Sequence, residues 1–298
     1  MQETGDESDG SRPQGVSRPS YPIGLSAGTA TRFPRFGAGQ PTPGRQVTPD
    51  FSQIDFLRLW AGRHRVTEVE GEILVRAIAG EPRGRGLELG AGGGRLTPYL
   101  SRWSSDIVSV DATVSLLRWN SSADEARPPR VGATAYHLPF ASAVFGVATL
   151  VRVFGFLSDP EAALRELHRV LRPGGLLVLS FEPHPSVGTL IDDLKVGLGP
   201  TTHRNLGSMT FSRERVVPVR PSAYPAWSHT RIHARRLAEA AGFVLEAEYP
   251  CGLEDFRGLR RFRPSVFLSI SRALSRVGGF PTRFLLLRKR APGGSPTP

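Results

Sequence analysis

The sequence is poor in cysteine, in lysine and in long apolar runs. Because Cys251 is its single cysteine, the chain cannot form an internal disulfide, and the sequence indicates a reducing compartment. No run approaches the roughly 20 apolar residues that a membrane-spanning helix needs. The N-terminus is acidic and has no apolar core segment, unlike a secretory signal or a transit peptide. These absences together predict a cytoplasmic location.

Arginine supplies almost all of the positive charge, since only Lys195 and Lys289 are lysines. The formal net charge is +11, and residues 251–290 carry ten basic and two acidic side chains, a net charge of +8. Such a segment suits nucleic acid, an anionic lipid surface or an acidic substrate, and equally a solvated surface. The charge alone does not choose among them.

Composition divides the chain into two parts. Of the first 50 residues, 15 are glycine or proline and few are aliphatic, so this part cannot bury enough apolar surface to become ordered. We therefore predict a disordered segment over 1–48 and one domain over 49–298. Apolar residues at helical spacing over 67–79 predict a helix that ends near Gly80.

Beyond that helix, short buried strands alternate with helices. The alternation predicts an α/β fold with a mainly parallel, doubly wound, Rossmann-like sheet. The clearest helix has Ser158 and Glu161 as a capping box and Pro160 in its first turn. The predicted strands are RGLELG, DIVSV, RVGATAY, FGVATLVRV, LLVLSF, VLEAEY and TRFLLLRKR.

Two segments interrupt the alternation. Residues 182–230 contain no convincing strand, so we predict a lid or substrate-binding insertion there. Residues 251–279 are basic, and 264–277 place their apolar residues on one helical face. That amphipathic segment completes a pocket, touches a membrane surface or packs on the sheet edge, and the sequence leaves these alternatives open.

The segment GLELGAGGGR, residues 86–95, is the most informative stretch for function. A phosphate-binding P-loop needs a lysine directly after its glycines, and neither lysine lies near this one. A dinucleotide-binding loop needs a third small residue where Arg95 stands. The carboxylate of Glu88, just before the glycines, repels a pyrophosphate and attracts an ammonium or sulfonium group.

An acidic residue also ends the second predicted strand. Asp111 lies 19 residues beyond Gly92, where a carboxylate accepts hydrogen bonds from the hydroxyls of a ribose. Dinucleotide sites share that feature, so Asp111 predicts a ribose but does not distinguish a dinucleotide from another ligand that contains ribose. Glu88 and Arg95 together argue against a dinucleotide and for a cationic ligand.

Four segments in this order resemble class I S-adenosylmethionine-dependent methyltransferases of the small-molecule type. They are LELGAGGGRLTPYL, SVDATVSLL, HLPFASAVFGVATLVRVFGFLSDPEAALRELHRVLRPGGLLVLSFEP and LAEAAGFVLEAEY, and the similarity spans about residues 85–250. The resemblance implies a seven-stranded sheet in the order 3-2-1-4-5-7-6 with only the last strand antiparallel. It also implies S-adenosylmethionine as the methyl donor.

The resemblance assigns cofactor-binding residues by position. It implies that Glu88 holds the amino group of the cofactor, that Asp111 binds the ribose, and that the glycine loop approaches the methionine part. Val151 and Arg152 line the reaction site in this assignment. The full predicted set is Glu88, Gly90, Gly92, Gly94, Asp111, Ala112, Thr134, Ala135, Leu138, Val151 and Arg152.

The adenine end departs from the family pattern. The resemblance implies that Ala112 and Leu138 flank the adenine. Family members often have an acidic residue that contacts the adenine amine, and here Thr134, followed by Ala135, stands in that position.

Histidines are the candidate catalytic residues, because a hydroxyl or amine acceptor needs a general base that titrates near neutral pH. His184 follows the fifth predicted strand and His229 lies in the predicted insertion, with His203 and His233 as alternatives. His229 and His233 are four residues apart, as in a metal-binding pair, but no third ligand is evident. We therefore expect no metal.

The expected reaction is transfer of the methyl group to an O, N or C atom of a small-molecule or lipid-like acceptor. Phe211, Tyr224 and Trp227 would supply apolar walls to its pocket. RNA or protein methylation through the basic C-terminal region is the alternative, with RNA as partner. A protein that binds S-adenosylmethionine without catalysis is a third hypothesis.

Overall fold

The structure, a computed structural model, describes residues 46, 48, 51–52, 60, 63–117, 128–183, 212–219, 222–252, 266, 269 and 282–290. The predicted segment 1–48 lies almost wholly outside these residues, and so does most of both predicted insertions. The division into a disordered segment and one domain therefore stays a prediction.

Strands and helices alternate along the described chain as predicted. The helices are α1 (His64–Ile78), α2 (Thr97–Ser101), α3 (Val114–Leu117), α4 (Pro160–Val170) and α5 (Arg231–Ala240), with a 3-10 helix at Phe154–Phe156. The strands are β1 (Gly86–Leu89), β2 (Ile107–Asp111), β3 (Arg130–Gly132), β4 (Phe145–Leu150), β5 (Leu171–Phe181), β6 (Ser212–Val219), β7 (Ser222–His229), β8 (Phe243–Cys251) and β9 (Thr282–Lys289).

Seven strands form one sheet in the order β3-β2-β1-β4-β5-β9-β8. The pairs from β3 to β5 are parallel, and β9 runs antiparallel to both β5 and β8. Since β8 and β9 are the sixth and seventh strands of this sheet in chain order, the predicted order 3-2-1-4-5-7-6 is confirmed. The Rossmann-like fold class is confirmed with it.

Helices cover both faces of the sheet, and every residue of β1, β2 and β4 is buried between them. On one face the core joins α1 and α2 to the strands through Val69, Ile73, Leu74, Leu96, Leu100, Val147 and Val178. On the other face it joins α4 and α5 through Ala163, Leu164, Leu167, Ala234, Ala238, Leu87 and Leu177. Strands covered on both faces read as continuous apolar runs, which is why the sequence revealed them.

The predicted capping of α4 is wrong by one residue. The helix is capped by Asp159, whose Oδ1 accepts a hydrogen bond of 3.0 Å from the backbone N of Ala162. Ser158, the predicted cap, is buried, and its backbone N donates to the hydroxyl of Tyr136 at 2.9 Å. The Tyr136 hydroxyl thus holds the turn that leads into α4.

We expect Tyr136→Phe to lower the free energy of unfolding by about 1–3 kcal/mol, because the buried hydrogen bond from the backbone N of Ser158 to the Tyr136 hydroxyl is lost. Urea unfolding measures the change. Tyr99→Phe is the matched control, since the Tyr99 hydroxyl makes no hydrogen bond within the described part of the chain. Equal stability of the two variants would contradict this role of Tyr136.

The prediction that residues 182–230 contain no strand is also wrong. β6 and β7 form an antiparallel hairpin outside the main sheet, in which Val216 pairs with Pro225 and Pro218 with Ala223. Proline argues against a strand because it lacks a backbone donor. Within the described residues these two strands form a sheet of their own, so both are edge strands, where a proline is tolerated.

The bounds of two elements follow from their glycines. α2 begins only at Thr97, after the glycine loop, because Gly92 and Gly94 have positive φ angles that no α-helix accommodates. β5 begins at Leu171 and not at 176, and the register between β4 and β5 shifts between Phe145 and Val147. The glycines after α4 therefore lie within an irregular strand.

Candidate functional site

Glu88 lies in β1, where the sequence places a carboxylate in a strand that is otherwise apolar. Only 5% of its surface is exposed. Its Oε2 accepts hydrogen bonds from Oγ1 of Thr97 at 2.6 Å and from Oγ of Ser109 at 3.1 Å. Two hydroxyls from α2 and β2 therefore position this carboxyl group at the end of the sheet.

The carboxyl group of Glu88 is costly to ionise in this position. Burial raises its pKa to about 7 from the usual 4.5, although the hydrogen bonds from Thr97 and Ser109 and the charge of Arg95 act in the opposite direction. The negative charge of Asp111 adds to the increase. A cationic ligand beside Glu88 would favour the ionised form, so the site is suited to an ammonium or sulfonium group.

The glycine loop turns back over the edge of the sheet directly after β1. Gly90, Gly92 and Gly94 have φ angles of 75°, 52° and 77°. At Gly90 a side chain is also excluded by sterics, because a Cβ atom would lie 2.1 Å from Cγ2 of Val153. A Cβ atom on Gly92 would meet nothing within 4 Å, so the loop offers open space beside its backbone there.

Asp111 fixes this loop at the end of β2. Its Oδ2 accepts a hydrogen bond of 2.9 Å from the backbone N of Gly92, and its Oδ1 accepts one of 2.8 Å from the backbone N of Thr113. Burial raises the pKa of Asp111, and the two backbone hydrogen bonds oppose that increase. The structure thus brings Glu88, the glycine loop and Asp111 together.

A cleft opens between the ends of β1 and β4, with Glu88, Gly90, Arg95 and Val151 among the residues that line it. Val151 therefore lies at this cleft, and its place in the reaction site stays a prediction. The cleft joins the carboxylate of β1 to the edge of β4 without another element between them.

Arg152 is adjacent to that cleft, but its side chain points into a buried ion cluster. Its φ angle is +62°, unusual for a residue with a side chain. Its Nε donates to Oε1 of Glu70 at 2.7 Å and its Nη1 to Oε1 of Glu182 at 3.1 Å, while its backbone N donates to Oγ of Ser180 at 2.9 Å. Strained backbone of this kind clusters at functional sites.

The predicted adenine residues line the turns after β2 and β3. Ala112 is exposed, whereas Ala135 and Leu138 are buried. The Oγ1 atom of Thr134 is buried and makes no hydrogen bond within the described residues. A buried polar atom without a partner costs stability, so Thr134 fits a site that a polar ligand group completes.

Helix α4 holds the turn that contains Leu138. The backbone N of Leu138 donates to Oε1 of Glu166 at 2.8 Å, and its carbonyl accepts from Nη2 of Arg169 at 3.1 Å. The hydrogen bond from Arg169 lowers the pKa of Glu166, with the bond from Leu138 acting in the same direction. This fixes one side of the predicted adenine pocket.

Of the candidate catalytic histidines, the structure describes His229 and His233. His184 and His203 lie outside the described residues, as do Phe211 and the side chain of Tyr224. His229 is 1% exposed, with its ring 4.7 Å from that of Phe154 and stacked on that of His233 at 5.6 Å. Burial and the charge of Arg236 lower the pKa of His233.

His229 lies near the end of β5, because its backbone forms an isolated parallel bridge with Pro183. It ends β7 whereas His233 is in α5, so the two histidines are not on one face of a single helix. Among the described residues, no three His, Cys, Asp or Glu side chains are close enough together to hold a metal ion. The proposed role of His229 as a base stays a prediction.

Sequence reasoning missed the partners that position the site. Thr97 and Ser109 were not distinguishable from other hydroxyl residues, because their distances to Glu88 depend on the fold. Glu70 did leave a signal, since a carboxylate stands between Val66 and Ile73 on the apolar stripe of α1, and all three are buried. A charged residue in such a stripe needs a buried partner.

No helix within the described residues is long and apolar enough to cross a membrane. Cys251 is buried at the end of β8, as expected for a structural cysteine.

Known proteins share the strands and loops that build this site. A family described as Methyltransferase domain matches residues 87–179. Demethylmenaquinone methyltransferase of Mycolicibacterium gilvum is 31% identical over 167 residues, which are 56% of this chain and 71% of that protein. Ubiquinone/menaquinone biosynthesis C-methyltransferase UbiE of Vibrio campbellii is 38% identical over 131 residues, which are 40% of this chain and 49% of that protein.

The fold is also similar to that of a solved structure. The SAM-dependent methyltransferase of Methanosarcina mazei superposes with a TM-score of 0.51 at 17% identity, over 70% of this chain and 93% of that one. The chain spans about half the length of most of the curated relatives that it matches. The match to the family, over residues 87–179, includes most of β1, the glycine loop and β4.

Proposed function

Because the chain belongs to the class I S-adenosylmethionine-dependent methyltransferases, we propose that it transfers a methyl group from S-adenosylmethionine to an O, N or C atom of a small-molecule or lipid-like acceptor. The observation that carries the proposal is the buried carboxyl group of Glu88, whose pKa is raised to about 7 beside an open glycine loop. A positively charged methyl donor compensates the cost of ionising this group.

The residues present fit S-adenosylmethionine. Glu88 would hold its amino group, Asp111 its ribose, and the backbone of the glycine loop its methionine part. Thr134 supplies a buried hydroxyl that lacks a partner among the described residues, in the place assigned to the adenine amine. Ala112 and Leu138 would flank the adenine ring.

When bound, the cofactor supplies an electrophilic methyl group on a sulfonium. The chain has then to align a nucleophile with that methyl group and to exclude water, and alignment alone can lower a barrier by several kcal/mol. Val151 lines the cleft at the end of β4, and the hairpin of β6 and β7 reaches the end of β5 through His229 and Pro183. We propose that the acceptor enters between these elements.

Two observations support a small, apolar acceptor. Relatives named as demethylmenaquinone and ubiquinone/menaquinone biosynthesis methyltransferases have, by these names, quinone-class acceptors, which are lipid-like. Trp227 and Phe154 supply buried aromatic surface near the end of β5.

The RNA alternative depends on residues 251–290, of which only 251–252, 266, 269 and 282–290 are described.

The test is incubation of the purified protein with methyl-labelled S-adenosylmethionine and fractionated lysate, with a prenylated naphthoquinol as a defined acceptor. We expect label in the lipid or small-molecule fraction, and none with the Glu88→Lys variant. Label in RNA or protein, lost steeply as salt is added, would replace this proposal with the alternative. Cofactor binding without label in any fraction would indicate a protein that binds the cofactor without catalysis.

For an acceptor that must lose a proton, we expect His229→Asn to lower kcat by about 100-fold while the Kd for S-adenosylmethionine changes little. The reason is that His229 would accept the proton of the nucleophile. His233→Asn is the matched control, because the ring of His233 stacks on that of His229. The His233 variant should keep most of the activity of the wild type. Full turnover by the folded His229 variant would assign that residue a packing role instead.

A further inference from the structure

Glu70 in α1 joins two arginines in a buried ion cluster beside the cleft. Its side chain is completely buried. Its Oε2 lies 2.6 Å from Nη2 of Arg95 and its Oε1 2.7 Å from Nε of Arg152, and Arg152 also contacts Glu182. The ring of Trp60 lies 4.0 Å from the guanidinium carbon of Arg95 and covers that residue.

The carboxyl group of Glu70 is ionised in this cluster. Burial acts to raise its pKa, but the charges of Arg152 and Arg95 and their hydrogen bonds outweigh that effect and lower it. The same pairing raises the pKa of Arg152 despite its burial. Two positive charges thus face two negative ones, and the cluster as a whole is neutral.

The position of the cluster matters because a cationic ligand would bind next to it. Arg95 lines the cleft together with Glu88, and its charge already acts on the Glu88 carboxyl group. Arg152 directly follows Val151, which also lines the cleft. Without Glu70, the two guanidinium groups would leave a net positive charge at the wall of the cleft, and that charge would repel a sulfonium.

We propose that Glu70 is a positioning residue that keeps the wall of the donor site electrically neutral and so permits binding of a positively charged methyl donor over its neutral demethylated product. This inference rests on the proposed function. The inference gives α1 a role in selecting the cofactor, and this role is not evident from the sequence of α1 or from the glycine loop.

A purely structural role for Glu70 makes a different prediction. If the cluster only attaches α1 to the sheet, its loss weakens both ligands equally, since both need the same folded cleft. S-adenosylmethionine and S-adenosylhomocysteine differ by the methyl group and its positive charge. The ratio of their dissociation constants therefore reports the charge of the site separately from its integrity.

The experiment measures the Kd of both compounds by calorimetry for the wild type, Glu70→Gln and Glu72→Gln. We expect the ratio of the Kd for S-adenosylmethionine to that for S-adenosylhomocysteine to rise about tenfold in Glu70→Gln, as one uncompensated charge at close range implies. Glu72→Gln is the matched control, because Glu72 lies on the same helix and, among the described residues, pairs with exposed Arg76 alone. Its ratio should equal that of the wild type.

Two further variants keep the inference testable if Glu70→Gln does not fold. The double variant Glu70→Gln/Arg152→Gln restores neutrality and should return the ratio to the wild-type value, whereas Arg152→Gln alone should lower it. An unchanged ratio in folded variants overturns the role assigned to Glu70. If the wild type binds neither compound, the proposed function itself fails, which is a distinguishable outcome.

Discussion

We expect Glu88→Gln to make the protein without ligand more stable at pH 8 while it weakens binding of S-adenosylmethionine about tenfold to a hundredfold. The stability gain follows from the pKa of about 7, because above that pH the folded protein holds an ionised carboxyl group in a buried place. The shift from 4.5 corresponds to about 3 kcal/mol at most. Affinity falls because a charge-assisted hydrogen bond contributes about 1.5–3 kcal/mol.

The sign of the pH dependence follows from the same pKa. A carboxyl group whose folded pKa is raised binds its proton more tightly in the folded state, so unfolding becomes easier as pH rises from about 4.5 to 7. The stability difference between wild type and Glu88→Gln should therefore shrink towards pH 5, where the native carboxyl group is protonated. Thr97 and Ser109 can serve the amide equally well, since hydroxyls both donate and accept.

Urea unfolding at pH 5 and pH 8, together with calorimetric binding, measures both effects. Glu68→Gln is the matched control, because Glu68 is an exposed carboxylate paired with Arg65 and should change neither quantity much. A Glu88→Gln variant that is less stable than the wild type at pH 8, or that binds the cofactor equally well, would contradict the assignment of Glu88.

We expect Gly90→Ala to lower the free energy of unfolding by about 2–5 kcal/mol and to abolish measurable cofactor binding. The φ angle of 75° costs an alanine about 1–2 kcal/mol, and its methyl group would lie 2.1 Å from Cγ2 of Val153, an overlap that costs about 1–3 kcal/mol. Relief of that overlap moves the loop. The backbone N atoms of Gly90 and Ala91, which donate to the carbonyl of Val110 at 2.7 and 3.0 Å, move with it.

Gly93→Ala is the control for this substitution. A Cβ atom on Gly93 would meet nothing within 4 Å, so the free energy of unfolding should stay within about 1 kcal/mol of the wild type. Thermal or urea unfolding compares the two variants directly. Equal stability of both would show that the contact with Val153 is relieved without cost.

The parts of the fold that follow from local pattern could be predicted from the sequence. Apolar strands covered on both faces identified the sheet, and the resemblance to class I methyltransferases implied the strand order that the structure has. Glu88 and Asp111 could be identified from the sequence because each is an acidic residue at or near the end of an apolar strand. A buried charge in such a place is costly unless it binds a partner. The structure brings them to one loop, through the hydrogen bond from Gly92.

What the sequence did not give depends on contacts between distant segments. The cap of α4 moved to Asp159 because Tyr136, 22 residues earlier, binds Ser158. The ion cluster joins Glu70 to Arg152 across 82 positions, a separation that no local pattern encodes. The hairpin of β6 and β7 contains prolines that argue against a strand, and they are tolerated because, within the described residues, both strands are edge strands.

The most direct test of the account is calorimetric titration of the wild type with S-adenosylmethionine at pH 6.5, in two buffers of different ionisation enthalpy. Binding should release most of one proton, because Glu88, with a pKa of about 7, is largely protonated before binding and ionised beside the cationic ligand. Glu88→Gln should release none. Absence of binding, or binding by the wild type without proton release, would contradict the claim that Glu88 selects a positively charged methyl donor.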